Sequence, residues 1–415
     1  MNKIRDWIDR IILGLFSLVL AMGTWNPFAP GVSEGEEPTN SFAQIVTVLL
    51  VGYLICWSFA KKTKVSIKWA APLWCFTFVF TFSTIWGQDN LEHLPILLIA
   101  KLIIDILLSV YLFKHLVRYP QLISFSLMTF AISCAIISSL YIFGALDNYV
   151  DISSGRVMFF GENPNSTSSR IALGAIVLVY YVFVNPLGWK KTRFLLSFLL
   201  VPMLLMIASS GSRGSIIILV ICVFLIILFG EYSKNARYIG ISIMSILLLA
   251  FYALFLKYAS ELSVIERFLD IAEGNDAGRG ELKHYAWEIF ISNPVFGYGD
   301  SGFMREMYLR FNEDRTVHNL YYYILATSGL LGAIPFFYFL GYLAVKSYRI
   351  ARRRILPIVL VVFVLLLVDK TGGVLTYSLV WYLFAIVLAY DYLLRTSGNG
   401  KNSNFGILES CPIGY

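Results

Sequence analysis

Apolar runs of about 18–25 residues recur along this chain, separated by shorter polar stretches. Each is long enough to cross a bilayer core of ~30 Å. In lipid, every backbone N–H and C=O must be satisfied within the protein, so spanning runs of this kind fold as helices. The repetition therefore points to an all-α polytopic membrane protein. Of 415 residues, 58% are hydrophobic and 14% charged, whereas about a quarter of a soluble domain is charged. Cys56, Cys75, Cys134 and Cys222 lie inside apolar runs and Cys411 in the C-terminal tail. No CxxC pairing occurs, so neither a zinc site nor a disulfide framework is indicated. No cofactor is expected.

About twelve transmembrane helices are predicted, near 11–25, 43–60, 69–87, 95–113, 121–144, 169–188, 194–208, 216–230, 238–257, 319–345, 355–368 and 374–394. Every second connection is rich in Lys and Arg, as at Lys61–Lys68, Lys190–Arg193 and Lys346–Arg354. The alternate connections are acidic or mixed. Basic residues collect in cytoplasmic loops, so the net charge of +7 reads as topology and no nucleic acid is implied. Both termini are expected in the cytoplasm, within one integral membrane domain spanning 1–415. A long outer loop is expected at about 258–317 and a cytoplasmic tail at 395–415.

That loop is the longest polar interval of the chain. Residues 260–273 and 281–292 each space apolar side chains on one helical face, as short amphipathic helices at the membrane surface do. Gly278-Arg279-Gly280 is a turn that puts a cation at the start of the second of them, Asn293-Pro294 stops it, and Gly297 and Gly299 permit a sharp bend. Two shorter stretches share the outer side, the 155–170 loop and the SSGSRGS turn at 209–215. A membrane protein that gathers its ionisable groups in one place does its chemistry there. ATP and nucleotide sugars are absent outside the cytoplasm, so a reaction there takes a donor that is already activated.

Arg213, among small residues at the start of a helix, and Arg279, between two glycines, suit an anion ligand, since small neighbours leave backbone N–H groups open to it. His318 stands at the mouth of a span beside Asn319, and an ordinary pKa of ~6.5 suits a general base. Arg156 and Arg170 flank the outer loop around Asn163, and Asp369 ends the eleventh span. Lys101 and Asp105, at i and i+4 inside the fourth span, are placed to neutralise one another.

These elements together resemble the O-antigen ligase and polymerase superfamily. The resemblance rests on SGSRGS around Arg213, on Arg279-Gly280 followed by Trp287, on Asn293-Pro294 followed by Gly297 and Gly299, and on His318-Asn319 followed by Thr327 to Gly332. It implies a metal-independent, inverting membrane glycosyltransferase of the bacterial inner membrane with a periplasmic active site. The donor it implies is a glycan on undecaprenyl diphosphate. The acceptor is lipid A-core for a ligase, or a second lipid-linked glycan for a polymerase. On that reading Arg213, Arg279 and His318 are catalytic, and Arg156, Arg170, Asn163, Asn319 and Asp369 are substrate contacts. A lipid-linked glycan flippase or other transporter is the competing class. Transporters are built from repeated halves, and no such repeat is visible here.

Overall fold

The computed structural model describes residues 2–23, 42–61, 65–87, 95–153, 156–159, 162–184, 192–230, 238, 278–371 and 373–398. The described chain is helical apart from one small hairpin. Helices α1 (Asn2–Met22), α2 (Phe42–Lys61), α3 (Ala71–Trp86), α4 (Ile96–Arg118) and α5 (Gln121–Ile142) lead to strands β1 (Val150–Ser153) and β2 (Arg156–Phe159). There follow α6 (Pro164–Phe183), α7 (Thr192–Phe198), α8 (Leu200–Ser209), α9 (Arg213–Phe229), α10 (Arg279–Ser292), α11 (Gly299–Phe311), α12 (Leu320–Ala351), α13 (Leu356–Lys370) and α14 (Ser378–Gly398).

Among the described residues, seven helical segments are long and apolar enough to cross a membrane, those of α2, α3, α4, α5, α6, α12 and α14. Two shorter apolar helical segments cover 195–209 and 213–229. Helix α1 carries Lys3, Arg5, Asp6, Asp9 and Arg10 in its first half, which shortens its apolar part. The span expected near 194–208 is broken after Phe198 into α7 and α8. Apart from Tyr238, the expected ninth span at 238–257 lies outside the described residues, as does the amphipathic stretch at 260–273.

Helices α6 and α14 form the centre. Four-fifths of the spanning window of each is buried inside the protein, 83% and 78%, as expected of helices that are apolar or small all round. Gly174 on α6 lets α5 and α8 approach, because a Cβ there would overlap Cys134 and Met203. Close approach at small residues is how helices associate when lipid removes the hydrophobic drive between them. Polar side chains lock α14 against α4 and α5. Ser109 donates to the Trp381 carbonyl, Tyr382 to Ser126, and Ser378 to Asp105. The Lys101–Asp105 expectation thus gains a partner on another helix. At the opposite end from His318, Asp9 accepts from Tyr53 at 2.5 Å and lies 3.4 Å from His115, tying α1, α2 and α4 together.

Helix α12 is kinked. Gly329 sits at φ 56° and ψ −165° inside it, and the interruption releases backbone groups that must find partners elsewhere. The segment after α10 supplies them. Tyr298 N–H donates to the Ala326 carbonyl at 2.9 Å, and the Leu330 and Leu331 N–H groups donate to Pro294 and Val295 at 2.8 and 3.2 Å. Gly297 and Gly299 both have positive φ, and a Cβ on Gly297 would overlap the backbone at Thr327–Gly329. Gly299 likewise abuts Ser83 and Thr84 at the end of α3. The Asn293–Gly299 and Thr327–Gly332 motifs are therefore two halves of one backbone interlock.

Two expectations are corrected here. The polar run before His318 is not all loop: residues Gly299–Phe311 form α11, held by the Tyr323 hydroxyl donating to Asp300. The 145–168 connection contains an antiparallel hairpin pairing Val150 with Phe159 and Ser153 with Arg156.

Candidate active site at the helix N-termini

Three helices begin at one end of the bundle, each at or directly after a residue singled out above. Arg213 is the first residue of α9 and Arg279 the first of α10. Neither N-cap, Ser212 or Gly278, caps its helix by accepting from a backbone N–H with its side chain, the Ser212 hydroxyl pairing instead with the Asn165 side-chain oxygen and the Ser215 hydroxyl. Gly211 and Gly278 precede the two starts with φ of 62° and 74°. An uncapped N-terminus offers N–H groups and the positive end of the helix dipole to an anion. Helix α12 differs, because Asn319 caps it by accepting from Tyr322 N–H at 3.2 Å.

The three starts are connected. Asn319 donates its amide to the Asp369 carboxylate at 2.8 Å and to its carbonyl at 3.1 Å. Next to Asp369, the Lys370 ammonium is 3.9 Å from that carboxylate. A Cβ on Gly214 would lie 3.5 Å from Lys370 Cγ, so the first turn of α9 packs beside the end of α13. On the other flank, Gly278 lies beside the guanidinium of Arg315, which pairs with Glu313 at 2.6 Å.

His318 is exposed at the surface but crowded by neighbouring protein. That partial burial, then the charges of Arg279 and Arg315, push its pKa below the ordinary imidazole value. The ring is thereby held in its neutral, proton-accepting form. Arg315 keeps Glu313 ionised, down to about 2, chiefly through their hydrogen bond, and that bond in turn raises the Arg315 pKa. Sequence reasoning did not pick out Arg315 or Lys370 as site cations. Their proximity to the site depends on how α10 and α13 pack.

Of the other expected contacts, Asn163 is exposed and caps α6, accepting from Asn165 N–H at 2.9 Å. Asn165 in turn accepts from the Ser212 hydroxyl at 3.1 Å, and Ser215 joins Ser169 at 3.1 Å. The start of α6 is thus fastened to the start of α9, next to Arg213. Arg156 lies on β2. Arg170 corrects its expectation. It is only 1% exposed and its guanidinium is enclosed by Glu162 and the Tyr377 hydroxyl. A buried cation needs a partner of this kind, and an enclosed one is not open to a substrate. Arg170 instead holds the end of the hairpin connection against Tyr377. Even Gly23, just past the end of α1, abuts it, where a Cβ would overlap the guanidinium. His284, on α10, is exposed and 2.9 Å from Glu288.

Residues 198–337 match the family described as O-antigen ligase. Over that segment the chain is similar to the O-antigen ligase family. The matched segment runs from the end of α7 into α12 and contains Arg213, Arg279, Arg315, His318 and both halves of the α12 interlock. Asp369, Lys370, Asn163 and Arg170 lie outside the O-antigen ligase match and reach it through packing. No curated protein matches the chain.

Proposed function

We propose that this protein is an O-antigen ligase, a membrane glycosyltransferase that moves a glycan from undecaprenyl diphosphate to a hydroxyl of lipid A-core on the periplasmic face of the bacterial inner membrane. The observation that carries this reading is His318, made a poorer cation first by partial burial and then by Arg279 and Arg315, at the end of the bundle where two helices without side-chain caps each begin with arginine.

Arg213 and Arg279 bind the diphosphate, whose oxygens match the planar guanidinium fork. His318 accepts the proton of the acceptor hydroxyl as its oxygen attacks the anomeric carbon. The bond from that carbon to the diphosphate oxygen breaks, and undecaprenyl diphosphate leaves with the electron pair. The arginines and helix dipoles stabilise the charge that develops on it, so no metal is needed. Displacement in one step inverts the anomeric centre. Asp369 and Asn319 orient the loop that carries His318.

The test is reconstitution of the purified protein with a lipid-linked glycan and two acceptors in separate reactions, lipid A-core and a second lipid-linked glycan. A single glycan addition to lipid A-core supports the ligase. A ladder of lengthening lipid-linked product makes it a polymerase, and no transfer to either acceptor rejects the reading.

A further inference from the structure

Beside the candidate catalytic groups, an open cleft of about 440 Å³ is lined by Gly280, Lys283, His284, Trp287 and Tyr322. Four of these lie on α10 at i, i+3, i+4 and i+7, which is a single helical face. The opposite face is buried through Leu282, Ala286, Ile289 and Phe290. The cleft begins at Gly280, directly after Arg279. Its far wall is Tyr322, whose backbone N–H is held by Asn319, the residue after His318. A ligand lying in it therefore runs from the reacting groups along α10.

Its chemistry is specific. Trp287 is 42% exposed, a large aromatic surface left open beside charged groups. Tyr322 meets it edge to face, with ring centroids 6.4 Å apart and planes at 78°. One wall is thus a flat, apolar ring with a phenol at its edge. Along the same face of α10 lie the Lys283 ammonium and the His284 imidazole, the latter fixed by Glu288. A sugar ring has the complementary surface, an apolar C–H face that stacks on an indole and a rim of hydroxyls that takes hydrogen bonds from charged donors. The volume falls within the ~300–1,000 Å³ usual for small-molecule sites, and the open form lets a longer chain pass through.

We infer that Trp287, Tyr322 and Lys283 form a glycan subsite that seats one sugar ring of a saccharide chain leading to the reacting centre. This rests on the glycosyl-transfer reading above. A saccharide in this cleft belongs either to the acceptor core or to the lipid-linked donor, and the chemistry is shared.

The experiment uses the full-length protein in nanodiscs and two readouts. The first is transfer kinetics for wild type, Trp287→Ala and Trp287→Phe, varying lipid A-core and the lipid-linked glycan in turn. Losing one ring stack raises KM about tenfold. Trp287→Ala shows this for one of the two substrates, which identifies the occupant, while kcat stays near wild type. Trp287→Phe restores most of the loss, because a benzene ring still offers a face. The second readout needs no turnover: quenching of tryptophan fluorescence by free core oligosaccharide and by the delipidated donor glycan. Saturable quenching present in wild type and absent in Trp287→Ala supports the subsite even if transfer fails, which would count against the enzyme reading alone. Unchanged KM for both substrates in Trp287→Ala, or wild-type quenching equal to that of Trp287→Ala, overturns the subsite and leaves Trp287 as an interfacial anchor.

Discussion

The side-chain amide of Asn319 reaches across from the start of α12 to the end of α13 and donates to both the carboxylate and the carbonyl of Asp369, at 2.8 and 3.1 Å. The same side chain accepts from Tyr322 N–H with its oxygen. One residue therefore caps the helix and fixes the adjacent His318 relative to Asp369 and Lys370. Asn319→Ala removes both links, and loss of the cap alone costs about 0.5–2 kcal/mol. Asn319→Asp keeps the cap acceptor but sets two carboxylates against one another. Both variants are expected to lose transfer. The loss in Asn319→Asp is relieved by Asp369→Asn, which restores an amide–carboxylate pair with the roles exchanged. Transfer rates of the two single variants and the double variant check this, and failure of the double variant to recover counts against the pairing.

Arg213→Ala and Arg279→Ala are each expected to lower transfer by ~10²–10³, by analogy with removal of one oxyanion-hole donor. Lys at either position recovers only part of it, because a point charge replaces a two-pronged donor. Lys370→Ala is expected to have a smaller effect, confined to KM for the lipid-linked donor. Comparing kcat and KM across these variants distinguishes a contact made in the transition state from uniform donor binding.

Helix existence was legible in this sequence because a bilayer fixes run length, and a run such as Gln121–Ile142 has no other way to satisfy its backbone. Breaks inside such runs were not. Residues 319–345 read as one apolar helix, yet Gly329 departs from helical geometry because the Pro294–Tyr298 segment docks there, a tertiary fact. Helix α11 was missed because its polar and apolar residues mix without a long apolar run. Among site residues, Arg213 and His318 stood out because each begins or precedes an apolar run, and Arg279 because it sits between two glycines at the start of an amphipathic stretch. Arg170 was misread because its partner Glu162 is eight residues earlier, a spacing with no helical signature. Asn319 and Asp369 are fifty residues apart, so their pairing appears only once α12 and α13 are packed.

The backbone interlock makes a stability prediction. Gly329→Ala forces a non-glycine residue to a positive φ and drives its Cβ into the Val295 carbonyl. Strained backbone of this kind costs about 1–3 kcal/mol, and the overlap adds to it. Gly341→Ala, on the same helix with nothing near its Cβ, is the control and is expected to be neutral or slightly stabilising. Thermal unfolding in detergent compares the two variants, with Gly329→Ala melting well below wild type. Equal melting temperatures would mean that the kink is not required for folding.

Orientation in the membrane is checked by cysteine labelling. Asp147 and Asn312 are exposed near the end that carries the arginines and His318, and Arg352 is exposed near the other. In a cysteine-free background, Asp147→Cys and Asn312→Cys are expected to react with a membrane-impermeant maleimide in intact spheroplasts, and Arg352→Cys only after lysis. The reverse pattern would put His318 in the cytoplasm and remove the basis for a lipid-diphosphate donor.

His318 gives the pH prediction. A base works when neutral, and partial burial with Arg279 and Arg315 nearby lowers its pKa from the ordinary 6.5. Transfer is therefore expected to hold as pH falls to about 6.5, then to decline below it as the imidazole protonates. Arg315→Ala removes one of the charges that disfavours the imidazolium and frees the Glu313 carboxylate that Arg315 had paired. Both changes raise the His318 pKa, so the acidic limb of kcat/KM moves to higher pH. His318→Ala is expected to lose ~10²–10⁴ in rate and with it that limb, while donor binding persists through the arginines. An Arg315→Ala profile that overlays wild type would show that Arg315 does not act on the base. A His318→Ala enzyme of normal rate with the limb intact would make His318 only the residue before a helix cap, with Asp369 the next base to test.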